Sequence, residues 1–144
     1  MHFVTRERVH VDRIATAWAI RRFVDPDATF EFVPRTRDVR QIPGITFDMR
    51  GAELTHHQGR CTLEALIGRY EITDPALRRM ALIIRAADLP QDDPAPAVAA
   101  GVAAIFDGIR DGCTSDEDRL ERGSVVCDAL YAYCQRAGDA AADV

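Results

Sequence analysis

Lysine is missing altogether: the eighteen basic residues among the 144 are all arginine, set against 23 acids for a net charge of -5. Nonspecific nucleic-acid binding needs a broad basic face that displaces phosphate counterions, and this charge balance argues against one. Direct nucleic-acid binding is therefore doubtful. A long apolar run is also missing. The best stretch, residues 95 to 109, is interrupted by Gly101 and Asp107 and falls short of the about 20 apolar residues a bilayer demands. No membrane association is expected. The opening residues, MHFVTRERVHVDR, hold neither an uninterrupted apolar stretch nor a small-residue cleavage site, so a cytoplasmic location is expected. Finally, no Cys-x-x-Cys pair occurs. Cys61, Cys113, Cys127 and Cys134 are too sparse for a disulfide scaffold and read as reduced core thiols. On one helix, Cys127 and Cys134 would stand two turns, or about 10 Å, apart, beyond disulfide reach.

What is present suffices for one compact core. At 47% hydrophobic, a chain of this length forms a single domain, residues 1–144, burying roughly two-thirds of its unfolded surface. Arg6, Arg8, Arg13, Arg21 and Arg22 gather near the start, and guanidinium suits oxyanions. A local pocket for a small oxyanion is one reading; a solvated, arginine-biased surface is the plain one.

The hydrophobic pattern gives strands first and helices after. HFVT, ATFEFVP and GITFDM read as three short strands, the last ending near Asp48. A helix over Asp12–Val24 carries Ile14, Ala17 and Trp18 on one face and is stopped by Asp25-Pro26. Cys61–Tyr70 predicts another. Asp74 and Pro75 are an N-cap and first-turn proline for a third, whose stripe of Leu77, Met80, Ala81 and Ile84 extends to Asp88. A fourth places Val98, Val102, Ile105, Phe106 and Ile109 on one side. After the capping pattern Ser115-x-x-Asp118, SVVCDALYAYCQR forms the last long helix and AGDAAADV a frayed tail. The expected fold is α/β or helix-rich α+β, a small sheet of about three strands packed by five or so helices.

Acids and histidines fall at the ends of these elements: His10, Asp12, Asp48, His56, His57, Glu64 and Asp88. Histidine and carboxylate together suit Mn, Zn or Fe, and strand ends are where an α/β domain gathers a site. The expected metal ligands are Asp12, Asp48, His56, Asp88 and His10, with Glu64 as general base if the protein is an enzyme. Arg13 and Arg50, close behind Asp12 and Asp48, are the candidates for meeting an oxyanion. Plain readings stand beside these. Asp12 could cap its own helix, Glu64 could complement a helix dipole, and Asp48 could form a turn. Cys61 at a helix start could be an activated thiolate or simply the first residue of that helix.

Three stretches, TRERVHVDRIATAW, FDMRGAELTHHQGRCTLEAL and DALYA, resemble in order the chromate-resistance protein family, the domain at the C-terminal end of a chromate-responsive regulator. The resemblance runs from Val4 to about Tyr133 and includes Asp12, Asp48, His56, Glu64 and Asp88. It implies a domain acting in chromate or oxyanion stress, with transcriptional regulation as one alternative. The order His10-x-Asp12, Asp48, His56-His57, Asp88 also resembles the DHH-type phosphoesterases, with Thr55 in place of their acid, which implies a metal-dependent hydrolase as another. Apolar and arginine-bearing helix faces leave a homodimer open.

Overall fold

The computed structural model describes residues 1–55, 58–89 and 95–142, with side chains as far as residue 138. β1 (His2–Arg6) buries Phe3, Val4 and Thr5 in succession, the mark of a strand covered on both faces. It is the central strand. β2 (Thr29–Val33) and β3 (Ile45–Thr46) flank it in parallel, in the order β2-β1-β3, with Phe3 opposite both Phe30 and Ile45. Phe3, Phe30 and Phe47 pack as a trio with ring centroids 6.0 to 6.3 Å apart. Such pairs add about 0.5–1.5 kcal/mol each to the area they bury. The third strand is shorter than GITFDM suggests. After Thr46 only a single bridge, Phe47 to Leu54, continues the ladder, and Asp48 turns away with φ 47°.

α1 (Val11–Ala19) buries eight of its nine residues, so it lies inside the molecule rather than on one side of it. α2 (Thr62–Arg69), α3 (Pro75–Asp88), α4 (Ala99–Gly112) and α5 (Asp116–Ala142) all pack against it. Where α5 crosses, a Cβ on Gly123 would stand 2.4 Å from Ile14 Cγ2, so only glycine permits that approach. The helix expected to reach Val24 widens at Ile20–Val24 into one π-helical turn. There Arg21 lies 4.7 Å from the Phe30 ring centre and Arg22 4.7 Å from that of Tyr131. Asp25 ends it and takes the N-terminal ammonium.

The signals for α3 hold: Asp74 accepts from the Leu77 N–H at 2.9 Å, Pro75 opens the helix, and Leu77, Met80, Ala81 and Ile84 are buried. Asp88 is its last residue, half-buried. On α4 the stripe is narrower than expected. Val102 and Phe106 are buried, but Ile105 is 51% exposed, because it lies about 60° to the other side of Val102 from Phe106. α5 starts as its capping pattern predicts, with Ser115 Oγ accepting from the Asp118 N–H at 3.1 Å. It does not fray at Ala137. The Arg79 guanidinium covers Gly138 and its Nε donates to the Cys134 carbonyl at 2.9 Å, and the helix runs on to Ala142. Among the described residues no helix is long and apolar enough to cross a membrane.

Candidate functional site

The chain passes from β1 to β2 on one side and then to β3 on the other. The strand order therefore switches beside β1, where open parallel sheets collect ligands at their carboxyl ends. Two constellations lie at that edge.

The first joins α1 and β3 to the start of α2. Asp12, in the first turn of α1 and only 1% exposed, accepts from the N–H groups of Thr62 at 2.8 Å and Leu63 at 3.1 Å. It therefore caps a helix, as a plain reading allows, but α2 rather than its own; His10 holds the N-cap position of α1 and its side chain makes no capping bond there. Asp48 accepts from Thr62 Oγ1 at 2.9 Å and pairs with Arg13 Nε at 3.1 Å, while the same Nε donates to the Asp48 carbonyl at 3.0 Å. Burial, then the charge of Asp48, pushes the Asp12 carboxyl up to about 6, against the pull of the Thr62 and Leu63 N–H groups. Two carboxylates thus converge on the start of α2, and the Arg13 guanidinium pairs with that of Asp48.

Cys61 and Glu64 complete that helix start. Cys61 is its N-cap, and Glu64 returns Oε1 to the Cys61 N–H at 3.0 Å while Oε2 meets Arg85 at 3.3 Å. The proposed base therefore has both oxygens engaged, at the rim of a cleft of ≈350 Å³ that Arg60 and Arg69 also line. Cys61 is fully buried. Burial and the neighbouring Asp12 charge raise its thiol far above the ordinary value, so the helix dipole does not make it an activated thiolate.

The second constellation is a cleft of ≈660 Å³ beyond the ends of β1 and β2. Arg8, His10 and Arg13 enter it from the loop after β1 and the start of α1, Arg35 follows β2, and Arg110 comes from the last turn of α4. His10 Nε2 lies 2.7 Å from Asp107, and Arg110 pairs with Asp111 at 3.1 Å. Arg13 belongs to both constellations.

Of the expected ligands, the fold brings Asp12 and Asp48 together, sends His10 to the arginine cleft, and leaves Asp88 at the end of α3. His56 and its neighbour His57 lie outside the described residues. Among the described residues no three histidine, cysteine or acidic side chains form a group that could hold a metal ion. Of the two arginines expected to meet an oxyanion, Arg13 lines the cleft, whereas Arg50 is exposed and does not. Sequence reasoning missed Thr62, which touches both carboxylates, and Arg35 and Arg110. Arg35 had a usable signal, since it stands directly after a predicted strand; Arg110 had none, because only the packing of α4 brings it there.

Fold and edge define a small α/β domain with its polar groups collected at the carboxyl ends of a parallel sheet. A family model described as the ChrB C-terminal domain matches residues 3–134. Over 134 residues the chain is 36% identical to Protein ChrB of Cupriavidus metallidurans, covering 91% of this chain and 40% of that protein. The chain belongs to the ChrB C-terminal-domain family, a chromate-resistance family, and spans about 40% of the length of this relative. No solved structure matches.

Proposed function

We propose that this domain acts in the chromate or oxyanion stress response by binding the tetrahedral dianion in the arginine cleft. The observation that carries this is the convergence of Arg8, Arg13, Arg35 and Arg110 on one open cleft at the sheet's carboxyl edge, in a chain that is acidic as a whole. Guanidinium offers paired donors that match two oxygens of such an ion, and cationic walls raise its local concentration. Isothermal titration with chromate and sulfate tests it. Binding that weakens about tenfold in Arg8→Ala and again in Arg35→Ala is expected; no heat with either ion, or heat indifferent to both substitutions, ends the proposal.

A second reading concerns a divalent metal. Asp12 and Asp48 are hard oxygen donors held close enough that the Asp48 charge disfavours ionisation of Asp12, a repulsion a dication relieves. Against it, Thr62, Leu63 and Arg13 already occupy those carboxylates, and two donors fall short of a full shell. A resident Mn, Zn or Fe would need a third ligand, for which His56 is the candidate. Elemental analysis of purified protein checks this, with Asp48→Asn expected to lose the metal. Metal-free protein whose melting temperature ignores added Mn, Zn and Fe would exclude the reading.

A further inference from the structure

The arginine cleft is much larger than the ion assigned to it. A four-oxygen dianion takes the room of two or three waters, about 60–90 Å³ at about 30 Å³ each. The cleft encloses ≈660 Å³, within the about 300–1,000 Å³ typical of sites for organic ligands.

Its cations also fall into two sets. Arg13 and Arg110 are held by Asp48 and Asp111. Among the described residues, the guanidiniums of Arg8 and Arg35 have no hydrogen-bond or ion-pair partner and are exposed. The loop that presents Arg8 is built for its position. Arg8 has φ 63°, a left-handed conformation that a residue with a Cβ adopts rarely, and its N–H and that of Val9 both donate to Asp116 of α5, at 2.9 and 2.8 Å. Asp116 is itself fixed by Arg119, which donates to the carbonyls of Arg110 and Cys113. Strain held by a second element is found at preformed sites.

The rest of the lining bears on the body of the ligand. Among the described residues around the cleft, His10 is the one aromatic ring, with its Nε2 held 2.7 Å from Asp107, and Pro34 is the one apolar member, so the lining favours a polar body over the broad apolar face of a nucleobase. Glu7, Thr36 and Asp111 are instead suited to hydroxyl groups.

We infer that the cleft binds an organic molecule carrying two phosphate groups on a hydroxylated body, of the sugar bisphosphate class. One phosphate meets Arg8 and Arg35, and the other meets the side walled by Arg13 and Arg110. The inference rests on the reading of the cleft as an anion site, and chromate then stands in for one of the two phosphates.

The test is calorimetric titration of the full chain with fructose 1,6-bisphosphate, inorganic phosphate and chromate in separate runs. The bisphosphate is expected to bind at least about tenfold more tightly than phosphate, and Arg35→Ala to remove most of that advantage, with Arg136→Ala on the exposed face of α5 as an unaffected control. A bisphosphate no tighter than phosphate overturns the inference while chromate binding keeps the oxyanion reading. A tight bisphosphate indifferent to both Arg8→Ala and Arg35→Ala overturns it as well, since the site is then elsewhere. If the bisphosphate binds as expected and chromate does not bind at all, the inference stands and the chromate proposal falls.

Discussion

The two constellations at the carboxyl edge of the sheet share a residue, Arg13, and otherwise differ in how far their polar groups are already engaged. Asp12 is buried with two backbone N–H groups on its carboxylate, and Asp48 is held by Thr62 and Arg13. Arg8 and Arg35, a few residues away in the chain or across the sheet, are exposed and aimed at a cleft. The same position in the fold therefore supplies a junction that holds α2 to α1 and an opening suited to an anion. A charged residue at a strand end is not by that fact a ligand; what it already touches decides.

The largest expected effect comes from cutting the junction. Asp12→Ala leaves the Thr62 and Leu63 N–H groups buried without acceptors, at about 1–3 kcal/mol each, offset in part because an unfavourable buried charge also disappears. A net loss of about 3 kcal/mol in urea unfolding at pH 7 is the expected outcome. A loss under about 1 kcal/mol would show that Asp12 does not hold the fold and would favour the metal reading.

Next is pH. The Asp12 carboxyl is raised from 3.8 to about 6 in the folded protein, so between those values the folded state holds more protons than the unfolded. Its contribution to stability is fully present below pH 3.8 and is lost as the pH rises through about 6, at a slope of at most about 1.4 kcal/mol per pH unit. Asp74 works the other way: although burial pushes it up, the Tyr131 hydroxyl and the Leu77 and Ala76 N–H groups hold it below its ordinary value. Its contribution is present above pH 3.8 and is lost on further acidification. Melting temperature should therefore fall from pH 4 to pH 6.5 in the wild type, and Asp12→Asn should flatten that fall. An unchanged slope would place the titration on another group.

These differences explain what the sequence disclosed. β1, β2 and the Asp74-Pro75 start of α3 were legible because each rests on neighbours in the chain: a run of β-branched and aromatic residues, an alternation, a cap with its proline. The grouping of Asp12 with Asp48 was foreseen from their positions at element ends. Their shared engagement at α2 was not, since Thr62 is some fifty residues from Asp12 and no local pattern announces a cap supplied from another helix. Ile105 misled because its stripe fits a helix buried over a wide face, and the width of α4's contact is set by its neighbours. Arg110 reaches the cleft only through the packing of α4, for which the sequence carries no local sign.

Arg13→Gln strikes both regions at once. It removes a half-buried ion pair with Asp48, for a loss of about 1–2 kcal/mol, and takes one positive charge away from the two carboxylates. The Asp12 titration should move higher still, seen as a displacement of the pH-dependent fall in melting temperature toward neutral pH. Anion affinity should drop in the same variant, whereas Asp12→Asn should leave it within about twofold. Equal losses of affinity in the two variants would merge the junction and the cleft into one site.

The smallest change in stability and the one gain of function belong to Asp111→Asn. Asp111 is 68% exposed, its pair with Arg110 is a surface contact of the kind worth about 0–1 kcal/mol, and unfolding should move by no more than about 0.5 kcal/mol. Its carboxylate nevertheless lines the cleft, where it repels any anion and engages Arg110. Two unit charges 4 Å apart in water interact by about 1 kcal/mol, so removing this one should tighten chromate or phosphate binding about three- to fivefold at low salt. The gain should shrink toward none at about 1 M salt, where screening acts within about 3 Å. A gain that persists at high salt would point to a hydrogen bond made by the new amide rather than to relief of charge. No gain at either salt concentration would mean that the anion sits away from Arg110, confined to the Arg8 and Arg35 end of the cleft.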